Sequence, residues 1–198
     1  MRDWSFYNFM LTVIASIVLA HAGAQAYNPT GPAIKFTMAN GKSFVVTTDP
    51  KTSPKTVSHV LALVKSGFYD RQRIHRVESW VTQWGAPASK SEPMMVKGKD
   101  GKMSLNDKVG DGGSGHDIPF EGSQTIDFVR GVVGIASEGL QMGGDSQLFV
   151  LKKDTLRLFN SYAILGKVSE GMATVDAIKF GDRITKATVM GAKGVRKP

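Results

Sequence analysis

Two well-separated segments carry the residue types that could act on a substrate. One is Gly67-Phe68-Tyr69-Asp70 running into Ile74-His75-Arg76-Val77; the other is Gly144-Asp145-Ser146-Gln147-Leu148-Phe149-Val150. Each alternates charged or amide residues with apolar ones, the period-2 pattern of a strand with one face on a core. The first presents Arg76 from such a strand, the second Gln147 and Phe149. A cationic fork, amides and an aromatic wall with no nucleophile beside them suit holding a peptide rather than cleaving it. The chain has no cysteine, which excludes thiol nucleophiles, disulfides and thiolate metal sites. Its four histidines are His21, His59, His75 and His116; no pair has helical ligand spacing, so neither metal nor cofactor is expected. Ser114, His116 and Asp117 lie too close in sequence to count as a triad, which is recognised by geometry. The run Gly110 to Gly115 is followed by no Lys-Ser/Thr and opens no helix, so it reads as a turn-rich surface loop rather than a phosphate loop.

The spacing continues beyond these segments. Gln83 follows Arg76 by seven residues, and Gly134-Ile135-Ala136-Ser137 precedes the Gly144-x-Ser146-Gln147-x-Phe149 run. Together and in this order the motifs resemble the cyclophilins, the peptidyl-prolyl isomerase family, from about Ala33 to Met190. The resemblance implies that Arg76, Gln83 and Phe149 are catalytic. It places Trp80, Val81 and Leu158 around a proline pocket with Phe149 as its floor, and Tyr162 where the family has a groove His. Ala136, Ser137 and Gln147 would hold the substrate backbone, and His75 joins the binding residues. The segment Glu78 to Thr82 is one residue short of the family pattern, Trp84 stands where Gly is usual, and Ala86 replaces an Asp. Ser137 replaces an Asn, and one extra residue lies between Ser137 and Gln147, in a loop bordering the pocket for the residue before proline. Arg157 falls where animal members often carry Trp, which implies weak cyclosporin binding.

Rotation about an X-Pro bond faces a barrier near 20 kcal/mol because the nitrogen shares its lone pair with the carbonyl. A guanidinium that is always charged can stabilise the twisted state in which that lone pair is regained. The implied activity is therefore isomerisation of X-Pro bonds in proline-containing segments of client proteins, assisting the folding of exported proteins. A non-catalytic cyclophilin-fold peptide-binding or chaperone module is the alternative, and a structural β-barrel domain of an envelope assembly the third. Nucleic acid is not an expected partner, since the lysines between Lys90 and Lys102 lack interleaved aromatics. A monomer is expected.

The elements that must position these residues are legible too. At 198 residues, with 41% hydrophobic and 21% charged content, the chain is one soluble domain plus a leader. Residues 1–26 read as a secretory signal: an apolar Phe6 to Ala20, then Ala24 and Ala26 at a small-x-small cleavage site, with Ala22 as a second site and an uncleaved anchor as the alternative. That implies a periplasmic or secreted protein with no stable membrane insertion once the leader is removed. The leader holds one Arg and one Asp, so residues 27–198 keep the formal charge of +8, which reads as a solvated basic surface. Ile34 to Met38 and Ser43 to Thr48 alternate around Asn40-Gly41, a strong hairpin signal. Ser53 is the expected N-cap of a helix beginning at Pro54, carrying Val57, Val60, Leu61 and Val64 inward and ending at Gly67. Strands are expected near Arg73 to Val77, Trp80 to Trp84, Val132 to Ala136, Gln147 to Leu151, Tyr162 to Val168 and Ile184 to Met190. A second helix is expected over Glu170 to Lys179, a loop from Ala88 to Gly122 and a basic tail from Gly191. Pattern alone gives a mainly β fold; the resemblance implies a closed eight-stranded antiparallel cyclophilin-like barrel with two capping helices.

Overall fold

Ala33–Met38 (β1) and Ser43–Thr48 (β2) pair antiparallel, and the turn between them uses Gly41 at φ +80° with its N–H donating to Met38 O. This computed structural model describes residues 27–191; the expected leader, and the expected tail beyond Gly191, lie outside them. Helix α1, Pro54–Lys65, follows. Its end is a Schellman turn: Gly67 sits at φ +74°, its N–H donates to Val64 O, and Phe68 N–H reaches back to Leu63 O. Ser53 occupies the N-cap position, but its side chain does not cap. The carboxylate of Glu121, far along the chain, accepts from Lys55 N–H (3.0 Å) and Thr56 N–H (2.7 Å) instead.

The remaining strands are β3 (Arg76–Val77), β4 (Val81–Trp84), β5 (Met95–Lys97), β6 (Met103–Leu105), β7 (Val132–Ile135), β8 (Leu148–Leu151), β9 (Ile164–Glu170) and β10 (Ile184–Met190). Helix α2, Met172–Ala177, is shorter than expected, because Glu170 ends β9 and Ile178 is already extended. Eight strands form one antiparallel sheet in the order β10-β1-β2-β9-β7-β8-β4-β3. The expectation of a closed barrel is corrected here. β3 is only two residues long and its outer edge makes no ladder with β10; a single bridge, Arg73 to Arg183, stands between the ends. Ile74 N–H to Asp182 O and Ile184 N–H to Gln72 O span that gap. The sheet is an open, curled half-barrel. The expected loop from Ala88 to Gly122 is corrected too: β5 and β6 form a separate hairpin within it. Its strands are three residues each, too short to show a period, and neither contributes to the core.

The concave side of the curl holds the main core. Phe36 and Phe44 stack at 5.1 Å, and the Trp84 ring meets both edge-on at 5.3 and 5.6 Å. Val57, Val60 and Val64 of α1 and Val175 of α2 close over it. Trp84 is wholly buried, so the residue that departs from the family pattern fills the interior and does not block a groove. A second apolar cluster lies on the convex side and includes Val81, Phe128, Phe149, Leu151, Leu158 and Ile164. It forms because β4 and β8 alternate: Val81 and Gln83 face outward while Thr82 and Trp84 face inward. That second cluster floors the site.

Candidate active site

Register alone brings the central residues into a row. Arg76 of β3 pairs with Gln83 of β4, Gln83 pairs with Phe149 of β8, and Phe149 pairs with Gly134 of β7. Residues paired across antiparallel strands share a face, so guanidinium, amide and phenyl ring stand side by side. Gly134 makes the last place in the row usable: a Cβ there would come within 2.5 Å of the Phe149 ring. Above this row opens a cleft of about 290 Å³, lined by Arg76, Trp80, Val81, Gln83, Ala136, Ser137, Phe149, Arg157, Leu158 and Tyr162. The Phe149 ring is its floor, stacked on Phe128 at 6.3 Å and edge-on to Tyr162 at 5.4 Å.

Polar groups form a chain along one side. Gln83 Oε1 accepts from Arg76 Nη1 (3.3 Å), Gln83 Nε2 donates to Gln147 Oε1 (2.9 Å), and Gln147 Nε2 donates to Gly110 O (2.8 Å) and Gly112 O (3.1 Å). Each amide is thereby fixed in orientation, and the Gly-rich loop is tied to the strands. On its other side, Arg76 Nε donates to Glu78 Oε1 (2.7 Å), while Glu78 Oε2 accepts from the Trp80 indole N–H (2.7 Å). The hydrogen bond from Arg76 is the largest cause of a Glu78 pKa below the usual range. Two of the five guanidinium N–H groups are engaged in these contacts, and among the described residues Nη2 has no hydrogen-bond partner, so it can meet a ligand.

A second cleft of about 730 Å³ adjoins the first and shares Gln83, Ala136 and Ser137 with it; its other walls include Gly112, Gly113, Ile118, Met142 and Gln147. Asp145 organises this side. It accepts from Ser114 Oγ and from Gly115 N–H (2.9 Å), and its Oδ1 lies 3.2 Å from His59 Nε2. Burial raises the Asp145 pKa, but these hydrogen bonds outweigh it and hold the carboxyl below its ordinary value. Ser114 and His59 both meet the same carboxylate oxygen and make no hydrogen bond to each other, so His59 does not activate Ser114 as a nucleophile.

A small apolar cup floored by phenylalanine, with a fixed guanidinium at one lip and an extended polar trough beside it, suits a proline and the backbone around it. The comparisons agree. The family model described as cyclophilin type peptidyl-prolyl cis-trans isomerase/CLD matches residues 33–192. The chain belongs to the cyclophilin-type peptidyl-prolyl cis-trans isomerases. Among curated cyclophilins, the probable peptidyl-prolyl cis-trans isomerase of Brucella abortus (strain 2308) is 35% identical over 153 residues, 71% of this chain and 74% of that protein. Peptidyl-prolyl cis-trans isomerase B of Bacillus subtilis is 26% identical over 158 residues, covering 79% and 96%. A cyclophilin-type isomerase of Cryptosporidium parvum shares the fold, with a TM-score of 0.62 and 18% identity over 81% of this chain and 98% of that one. That parasite protein has also been solved in the presence of the dipeptide Ala-Pro.

Of the residues singled out from this cyclophilin's sequence, Arg76, Gln83, Phe149, Trp80, Val81, Ala136, Ser137, Leu158 and Tyr162 converge on the first cleft, and Gln147 lines the second. His75 reaches neither lining. It lies just before β3, its ring packed beside Gly110 and the Gln147 side chain, and both ring nitrogens are buried with no hydrogen-bond partner among the described residues. Burial lowers its pKa to about 4, the neighbouring Gln147 amide opposing that shift and the Arg76 charge adding to it. Sequence reasoning missed Glu78 as the partner of Arg76 and Trp80. An acidic residue two positions from a strand arginine is the signal that could have found it, since side chains two apart on a strand share a face.

Proposed function

We propose that the first cleft seats the proline ring of an X-Pro segment over Phe149, with Arg76 as the electrostatic catalyst of rotation. The row Arg76–Gln83–Phe149 carries this reading. The Phe149 floor is apolar and nearly closed to water, which favours the pyrrolidine ring. The residue before proline then lies toward the second cleft, its main chain alongside Ala136 and Ser137 in the manner of an added strand. Planar amide resonance leaves little density on nitrogen; twisting returns the lone pair, and an Arg76 Nη donor meets it only in that state. Gln83 and Glu78 hold the guanidinium in place, so its orientation is set before substrate arrives. The Cryptosporidium parvum relative, solved in the presence of the dipeptide Ala-Pro, fits the same class of ligand.

The test is a protease-free assay of proline isomerisation in short peptides. Arg76→Ala should lower kcat/KM by a factor of roughly 10² or more while the protein stays folded, because a charge-assisted donor used mainly in the transition state is lost. A wild-type protein inactive on every X-Pro peptide would instead support a non-catalytic peptide-binding module.

We further infer export to the periplasm or beyond, with proline-containing segments of exported proteins as clients. The apolar stretch before Ala24-x-Ala26 supports it. N-terminal sequencing of the protein recovered from its host should then begin near Tyr27; an intact residue 1–26 segment on membrane-bound protein would contradict it.

A further inference from the structure

Two guanidiniums bracket one indole at the rim of the proline cleft. Arg76 Cζ lies 5.5 Å from the centre of the Trp80 ring and Arg157 Cζ lies 5.0 Å from it. One carboxylate stands among them, and both its oxygens are committed: Glu78 binds Arg76 Nε and the Trp80 N–H. Arg157 is exposed and, among the described residues, makes no hydrogen bond or close ion pair; it stacks on Trp80, and its charge acts at longer range on the Glu78 carboxylate. It nonetheless lines the cleft, beside Leu158. The short 3-10 turn Leu156–Leu158 that carries it points Leu158 into the cluster and leaves Arg157 at the lip.

We propose that Arg157 forms a carboxylate-binding subsite that favours X-Pro segments with an acidic residue directly after the proline. The inference rests on the seating of proline proposed above. With the preceding residue directed to the second cleft, the chain beyond the proline leaves past the opposite wall, where Trp80 and Arg157 stand. A guanidinium presents a planar fork of donors that matches a carboxylate two bonds at a time. Stacking on Trp80 limits its freedom before the ligand arrives, which lowers the ordering cost of that pairing. The same charge, with Arg76 nearby and Glu78 already occupied, disfavours Lys or Arg at that place in the substrate. The pairing is solvent-exposed, so it should weaken with salt.

The experiment measures kcat/KM for three peptides that differ only in the residue after proline: Glu, Gln or Lys. The wild type should prefer Glu over Lys by about five- to tenfold at low ionic strength, the span of exposed ion-pair effects counted for attraction and repulsion together. The preference should shrink toward about twofold in roughly 0.5 M NaCl. Arg157→Gln should bring the Glu to Lys ratio near one, Arg157→Glu should invert it, and Arg157→Lys should keep its sign. Each readout is a ratio within one protein, so a general change in rate does not enter. An unchanged ratio in Arg157→Gln, or no preference in a wild type that turns over all three peptides, overturns the subsite and leaves the active-site reading standing. A wild type that turns over none of the three overturns both.

Discussion

Phe149 and Arg76 stand in the same row on either side of Gln83, yet truncating them should have very unequal consequences for stability. The Phe149 ring is 5% exposed and packs against Phe128 and Tyr162, so Phe149→Ala removes the cleft floor and opens a cavity in the convex cluster. A stability loss of about 3–5 kcal/mol in denaturant unfolding is expected, together with a lower kcat/KM in the isomerase assay. Phe149→Tyr keeps the area and should be milder on both readouts; a folded Phe149→Ala with full activity would show that proline binds elsewhere. Arg76 is half-exposed in its contact with Glu78, and such pairs contribute little to stability. Most of the cleft was legible in the sequence because strand residues two apart share a face and the spacing between motifs is kept. Glu78 was missed although its spacing of two from both Arg76 and Trp80 is local; that one carboxylate binds both at once is shown only by the folded turn between β3 and β4. Arg157 was legible only as the lack of a Trp; that it stacks on Trp80 required both to be in place.

Helix α1 shows how an element can be read correctly and its anchoring missed. Pro54 at the first position, valines at helical spacing and Gly67 at the end all lie within a few residues of one another, and local rules suffice for them. The group that satisfies the free N–H donors of the first turn comes from Glu121, which no local pattern connects to it. Negative charge at a helix N-terminus also suits the dipole. Glu121→Ala should therefore cost about 1–2 kcal/mol in denaturant unfolding, the usual range for a lost cap. Ser53→Ala should cost less, since Ser53 Oγ makes only a long bond to Glu121 O (3.3 Å); the reverse order would show that Ser53 is the true cap. The β5–β6 hairpin is the opposite case. Its three-residue strands bury too little to leave a hydrophobic period, and only pairing such as Met95 with Leu105 makes them strands.

For the molecule as a whole, His75 should set how stability responds to mild acid. Its pKa is lowered from 6.5 to about 4, mainly by burial. Between those values the unfolded chain binds a proton that the folded chain refuses, so stability is full above about pH 6.5 and falls as pH drops toward 4. The total change is ~3 kcal/mol for that separation of pKa values. Urea unfolding at stepped pH should show this slope in the wild type and a flatter one in His75→Gln; equal slopes would remove His75 as the cause. Asp145 works in a different window, since its lowered carboxyl pKa contributes stability that is lost only as pH falls below the ordinary carboxylate range. Neither residue declares this in the sequence: His75 reads as part of a binding motif, and its burial follows from the distant Gly110 and Gln147 that pack against its ring. The sequence by itself determined the order and kind of the main elements, the outward row of Arg76, Gln83 and Phe149, and the family. These depend on periodicity, turn residues and spacing, which are local quantities. Tertiary structure decided that the sheet stays open between β3 and β10, that Trp84 fills the interior, that Asp145 gathers Ser114 and His59, and that Glu78 and Arg157 share Trp80. Each depends on which distant residues meet, and such meetings are settled by packing and by the pairing of buried or crowded polar groups, which act between segments that no local period joins.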